Sequence, residues 1–329
     1  MTGRSRWGRA LRAVLIFVPL GAIVATAVAA GSIFWSASSQ ILHPPGPGDV
    51  GQISGCREPS RAVWGDDCGR LTKRSDIDRQ EMTFQSQNGY TLAGWRLRRS
   101  SSSPSDKVLL YIPGGGSDRR EASRYVDLAV SLGYDLVAID PACQGLSPCS
   151  TPGLSYGARE SRDILSVVSK LKQDYAHVVV MGSSVGAASI LIALPELDVA
   201  GIIAENPMSS LWQLLRDAPE AKGMPDWAIT LLVQLTCWRG DFPFQPDALS
   251  AIARGKRVPV LLIHSKADQI VPPTHSERLA HAYHGPVKIW IAEHGAHGAV
   301  WNAAPAAYEA KVRDFLSSLE KDGLPDRKG

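Results

Sequence analysis

Val178-Val179-Val180-Met181-Gly182-Ser183-Ser184-Val185-Gly186-Ala187-Ala188-Ser189-Ile190-Leu191 is the stretch that decides the fold. Four apolar residues in a row predict a buried strand, and the small, apolar run at the far end predicts a helix. Between them the chain turns sharply through Gly182-Ser183-Ser184-Val185-Gly186. A serine hydroxyl is a weak nucleophile until it is exposed and held beside a base. A strand-to-helix elbow does the exposing. Glycine at 182 and 186 removes side chains where strand and helix would collide. The elbow also aims the first free amides of the new helix at whatever Ser184 attacks. An ordinary turn is the competing reading, since short Gly-Ser motifs recur by chance.

Two partners follow in chain order. Val258-Pro259-Val260-Leu261-Leu262-Ile263-His264 predicts a buried strand running into Ser265-Lys266-Ala267-Asp268. Open α/β sheets put their chemistry just past the C-terminal ends of the strands. Asp268 there suits an acid that accepts an imidazole N–H and fixes its tautomer. A turn aspartate is the bland alternative, and Glu205, ending the run Gly201-Ile202-Ile203-Ala204, is the rival acid. Val287-Lys288-Ile289-Trp290-Ile291 alternates like a last strand, and the loop behind it carries His294 and His297. His297, between Ala296 and Gly298, is the favoured base, with His294 a substrate-facing or supporting group. A metal pair lacks a presenting helix and a ligand set. His264 reads as packed or hydrogen-bonded, and His275, His281 and His284 as solvated or partly buried.

Upstream, Leu109-Leu110-Tyr111-Ile112 leads into Pro113-Gly114-Gly115-Gly116-Ser117. Glycines let backbone amides approach and point into a site, and a tetrahedral intermediate needs such donors. The candidates for this oxyanion hole are the amides of Val185 and of Gly115 or Gly116.

Helical stretches at Glu121–Leu132 and Ala158–Leu171 alternate with the strands, and Tyr308–Leu319 reads as a terminal helix. That alternation predicts an α/β fold, a mainly parallel doubly wound sheet. Between 207 and 254 it breaks, and a small helical cap is expected. There Trp227, Ala228, Leu231, Leu232 and Leu235 are expected on one face, to pack on the core, wall an acyl pocket or touch a bilayer.

Together these pieces resemble the α/β-hydrolase superfamily, and more narrowly bacterial membrane-anchored or exported serine hydrolases with a short cap. The resemblance runs from about Gln80 to Leu319. Asn88-Gly89 reads as a hairpin turn, and Tyr90-Thr91-Leu92-Ala93-Gly94-Trp95 resembles the family's opening strand. Asp140-Pro141-Ala142-Cys143-Gln144-Gly145-Leu146-Ser147 is similar to its "D-x-R-G-x-G-x-S" loop. Two departures stand out. Pro113 occupies the position of a histidine that braces the family's oxyanion loop, and Ala142-Cys143-Gln144 replaces an arginine-centred segment.

The chain has 329 residues and 44% hydrophobic content, enough for one domain of this kind with an extension. Its net charge of +3 owes much to Arg4, Arg6, Arg9 and Arg12. No basic face for nucleic acid is left, so nucleic-acid binding is not expected. Residues 13–35 hold no charge, which suits a transmembrane anchor preceded by a basic cytoplasmic N-terminus at 1–12. The arginines on the N-terminal side predict a catalytic domain outside the cell membrane. A signal peptide cleaved near Ala27-Val28-Ala29, with secretion, is the alternative. Residues 36–79 read as an irregular connector, 80–320 as the hydrolase domain and 321–329 as a polar tail. Of five cysteines, Cys56 with Cys68 and Cys143 with Cys149 flank short loops that an oxidising compartment would let close. Cys237 is then the odd thiol, and in a cytosolic protein all five would be free.

The expected function is a serine hydrolase acting on a carboxylic ester, with a small-molecule or lipid-like acyl substrate and no metal or organic cofactor. A peptidase or amidase, an acyltransferase, and a non-catalytic binding protein on the same fold are the rivals.

Overall fold

The computed structural model describes residues 4–44, 67–101, 103–149 and 151–322, with backbone only at 4–20, 23, 321 and 322. Eight strands form one sheet in the order β1-β2-β4-β3-β5-β6-β7-β8. β1 (Ile77–Gln85) and β2 (Thr91–Arg99) make the hairpin expected around Asn88-Gly89. Gly89 supplies its left-handed residue at φ +86°. β2 pairs antiparallel with β4 (Asp135–Ile139). From β4 onward every pairing is parallel, through β3 (Lys107–Ile112), β5 (His177–Ser183), β6 (Gly201–Glu205), β7 (Val260–Ser265) and β8 (Val287–Ala292).

The central strands are apolar on both faces because helices cover both. Val108, Leu110 and Ile112 of β3 face one core, and Leu109 and Tyr111 face the other. The first core is closed by helices at Glu160–Leu171 (α3) and Val185–Ala193 (α4), with Ala248–Ile252 (α7) and Thr274–Ala282 (α8) beside them. The second is closed by Val126–Ser131 (α2) and Pro305–Asp322 (α10). The helix expected over 121–132 is split: Arg119–Tyr125 winds as a 3₁₀ helix before α2 begins.

The cap lies between β6 and β7 as Leu211–Asp217 (α5), Asp226–Gly240 (α6) and α7. Of the residues expected to share one face, Ala228 is buried and Trp227 and Leu231 are exposed. Ala228, Ile229, Val233, Thr236 and Cys237 turn inward, while Trp227, Leu231 and Trp238 are exposed. α6 is apolar around most of its circumference, so periodicity alone does not select the inward stripe.

The first helix, α1, runs without interruption from Arg4 to Leu42, into the stretch read as irregular connector. Its last turns are docked. The Arg239 guanidinium covers the Trp35 ring at 3.7 Å and donates to Trp35 O at 2.6 Å and Ser39 Oγ at 2.9 Å. Tyr156 donates to Ile41 O, and the Leu154 amide to Leu42 O. Among the described residues no helix is long and apolar enough to cross a membrane, and side chains 13–20 and 23 of the uncharged stretch lie outside them. Cys143 and Cys149 form a disulfide. Cys68 is disulfide-bonded too, and the expected partner Cys56 lies outside the described residues. Cys237 is a free, buried thiol pushed up to about 11 by burial.

Candidate active site

The residues singled out from the sequence meet at the C-terminal edge of the sheet. Ser184 follows β5, Asp268 follows β7 and His297 follows β8. Neighbouring strands lie about 4.8 Å apart, so the loops after β7 and β8 reach back about 10 and 14 Å across the sheet edge to Ser184.

Ser184 sits at φ +52°, ψ −116°, a conformation that costs an L-residue of order 1–3 kcal/mol and persists only when its surroundings enforce it. Here the Ser184 amide donates to Glu205 O on β6, and the Ala188 amide donates to Ser184 O. The side chain is half-buried and reachable from solvent. His297 Nε2 lies 2.8 Å from Ser184 Oγ, and His297 Nδ1 lies 2.8 Å from Asp268 Oδ2. A hydroxyl bonded to an imidazole that is itself oriented by a buried carboxylate is the arrangement that activates a nucleophile. His294 is exposed and makes no hydrogen bond to Ser184 or Asp268 among the described residues.

Asp268 is 5% exposed and saturated with donors. Oδ1 accepts from the amides of Ile270 and Val271, both at 2.9 Å. Oδ2 accepts from Asn206 Nδ2 at 2.6 Å and faces His297 and, at 3.5 Å, His264 Nε2. Burial alone would push this carboxyl up. The contacts from His264, His297 and the Val271 amide outweigh it and hold Asp268 well below the usual carboxylate range. His264 is buried and hydrogen-bonded, with Ser276 Oγ and Val271 O each 2.7 Å from its ring nitrogens. His275 is fully buried rather than solvated, because its Nδ1 accepts from the Ser209 amide at 2.9 Å.

Glu205 points elsewhere. Its Oε2 accepts from Tyr125 and Tyr308, both at 2.9 Å, on the side of the sheet facing α2 and α10. Asn206, the next residue, supplies the contact to Asp268, and the sequence reading missed it. It sits at φ +49°, a left-handed conformation that asparagine tolerates. Its amide donates to Ile263 O of β7, which brings β6 beside the acid turn.

The glycine run after β3 stands against Ser184. A Cβ placed on Gly114 would lie 3.3 Å from Ser184 Cβ, and one on Gly115 would lie 3.2 Å from Val185 Cγ2. Gly116 takes φ +77°, and Ser117 N closes the turn on Gly114 O at 3.2 Å. Val185 opens α4, so its amide has no acceptor within the helix. Behind the nucleophile, at Ala188 and Ile192, a small cavity separates cap from core; Tyr156, Met208, Leu211, Trp212, Val233 and Phe244 line it.

This architecture has solved counterparts. The Pyrococcus furiosus esterase Pf2001 superposes with a TM-score of 0.59 at 19% identity, covering 74% of this chain and 93% of that one. The Pyrococcus horikoshii acylaminoacyl peptidase matches with a TM-score of 0.57 at 19% identity, over 78% of this chain and 44% of its own length. The fold is that of the α/β-hydrolases. In sequence, the uncharacterized protein YqkD of Bacillus subtilis is 26% identical over 314 residues, 92% of this chain and 97% of YqkD. No family model matches the chain.

Proposed function

We propose that this chain is a serine hydrolase that cleaves a carboxylic ester through an acyl-enzyme. Ser184 Oγ attacks the carbonyl carbon while its proton passes to His297 Nε2. Asp268, kept ionised by its donors, orients the ring and stabilises the imidazolium. The oxyanion accepts from the amide of Val185 and from one at Gly115 or Gly116. Collapse expels the alcohol, which leaves with the proton from His297. A water molecule, deprotonated by His297, then attacks the acyl carbon, and as the bond to Oγ breaks His297 returns that proton to Ser184 and the acid leaves. The observation that carries this reading is the single imidazole lying 2.8 Å from both Ser184 Oγ and Asp268 Oδ2.

The esterase likeness favours esters. The acylaminoacyl peptidase likeness supports a second reading, in which the same serine opens an amide. The test is labelling of the protein by a fluorophosphonate probe beside its Ser184→Ala variant, followed by matched ester and amide substrates. Labelling retained in the variant would move the nucleophile elsewhere. Turnover of peptide amides rather than short-chain esters would replace the first reading with the second.

We also propose that α1 holds the enzyme at the cell membrane, with the N-terminus cytoplasmic and the catalytic domain outside. The uncharged run 13–35 behind four arginines supports this. So do the exposed Val24, Val28, Ile33 and Trp35 of α1 and the exposed Trp227, Leu231 and Trp238 of the cap. Release of the full-length chain from cell membranes by alkaline carbonate, or a product shortened at Ala29, would sink the anchor.

A further inference from the structure

The oxyanion loop and the histidine loop arrive from opposite sides of Ser184, on β3 and β8. A buried ion pair that the steps above do not use joins them. Glu121 and Arg124 lie three residues apart on the 3₁₀ helix Arg119–Tyr125. Side chains at i and i+3 eclipse in that winding, so the two stand side by side. Their side chains are 6% and 2% exposed, and Arg124 Nη2 donates to Glu121 Oε1 at 2.5 Å. The other carboxylate oxygen, Oε2, accepts from Ser117 Oγ at 2.8 Å. Ser117 is the residue whose amide closes the glycine turn. The other guanidinium nitrogen, Nη1, donates to Gly298 O at 2.7 Å and to Asn302 Oδ1 at 3.1 Å. Gly298 follows His297 directly and takes φ +65°.

We infer that Glu121 and Arg124 are positioning residues, a buried clamp that holds the oxyanion loop and the His297 loop in register across Ser184. The inference rests on the serine-hydrolase reading for its catalytic consequence, and on the contacts alone for its mechanical one. A buried ion pair gains little stability over apolar residues of the same size, because desolvation of both charges offsets their attraction. Its use here is directional. The planar guanidinium fork reaches the carboxylate with one nitrogen and a loop carbonyl with another, which a lysine ammonium on a flexible stem does not reproduce. Loss of the clamp frees each loop to move by a fraction of an ångström, and a 1 Å misplacement is enough to slow catalysis about a hundredfold.

The experiment is a double-mutant cycle in the full chain, read in two ways. Ser117→Ala removes the oxyanion-loop end without touching the ion pair. Arg124→Lys keeps the charge and loses the fork. The first readout is hydrogen–deuterium exchange of residues 114–117 and 293–299, which needs no activity. The second is the rate of fluorophosphonate labelling together with kcat and KM on the best ester. The clamp predicts that Ser117→Ala speeds exchange in the histidine loop, although Ser117 is not part of it. It also predicts that each variant loses about tenfold or more in labelling rate and in kcat with KM within about twofold, and that the double variant is no worse than Arg124→Lys alone. Exchange confined to the mutated loop, or losses that multiply in the double variant, would overturn the inference. If the wild type does not label, the hydrolase reading fails. The exchange data then still decide whether the two loops are coupled. If Arg124→Lys does not fold, Ser117→Ala alone decides: faster exchange at 293–299 supports the clamp, and unchanged exchange there overturns it.

Discussion

Gly186→Ala is the substitution whose consequence follows most directly from the packing. A Cβ at position 186 would lie 2.5 Å from Pro113 O and nearer still to Ile112 O. Both are backbone atoms at the root of the oxyanion loop, so no rotamer change relieves them. A comfortable carbon-to-oxygen contact is about 3.3 Å or more, so α4 and the end of β3 must part by about 0.8 Å. Overpacking of this kind costs about 1–3 kcal/mol. In a domain of this size that lowers the melting temperature by about 2–12 °C. The larger effect falls on chemistry, because the same displacement carries the Gly114–Gly116 amides away from the carbonyl bound at Ser184. About a hundredfold loss of kcat is expected. Gly89→Ala serves as the control: its Cβ meets nothing within 4 Å, but φ +86° makes alanine strained there. It should lose about 1–2 kcal/mol of stability and none of the rate. Thermal denaturation and initial rates on a chromogenic ester separate the two. A Gly186→Ala protein with wild-type kcat would refute the claim that β3 and α4 jointly set the oxyanion geometry.

His297→Ala should abolish fluorophosphonate labelling and His294→Ala should leave its rate within about twofold; the opposite order would reassign the base. Asn206→Ala removes a 2.6 Å contact to a charged carboxylate, worth about 1.5–3 kcal/mol. It also puts alanine in a left-handed conformation, and Asn206→Gly should recover about 1 kcal/mol of the loss in urea titrations. The His275 ring is driven by burial from 6.5 down to about 4. The unfolded chain therefore takes up this proton first, and the stability His275 contributes above pH 6.5 is lost as pH falls toward 4, by about 3 kcal/mol. Asp140 and Asp163, both raised by burial to about 6, act the other way, stabilising below about pH 4 and losing that effect as pH rises through 6. The informative measurement is thus the difference between wild type and His275→Gln, which should be a flatter melting profile between pH 4 and 6.5. Parallel profiles would remove His275 from the account.

Strand-and-loop units were legible where the chemistry sits on contiguous residues. The apolar runs of β5, β7 and β8 announce themselves, and Ser184, Asp268 and His297 in the segments behind them are brought together as expected. Contacts that depend on which strands become neighbours were not legible. Asn206 matters because β6 lies between β5 and β7, and no local pattern around Asn206 encodes that order. Which way α6 faces is not legible for a related reason: a helix with tryptophan or leucine on most sides leaves the choice to the surface it meets, and here Ile229 and Val233 are buried while Trp227 and Leu231 are exposed. His275 was misread because it is the second residue of α8, where the loop at Ser209 covers it.

Glu121 and Arg124 show the limit most clearly. In sequence they are two charges in an amphipathic-looking stretch, where such residues ordinarily form a solvated face. The 3₁₀ winding buries them instead, beside the glycine run after β3. Proline at 113 offers the glycine run no side-chain hydrogen-bond donor. Ser117, four residues on, binds Glu121, and Glu121 binds Arg124. If the pair stands in for a side chain that would hold the run at 113, the two features are linked. A chain with the same elbow but a side chain at 113 able to hold the loop would have no physical need for the pair. Introducing Pro113→His into this chain should accordingly lessen the cost of Ser117→Ala, provided the imidazole reaches the loop. An unchanged cost in a folded Pro113→His protein whose imidazole does reach it would separate the two features again.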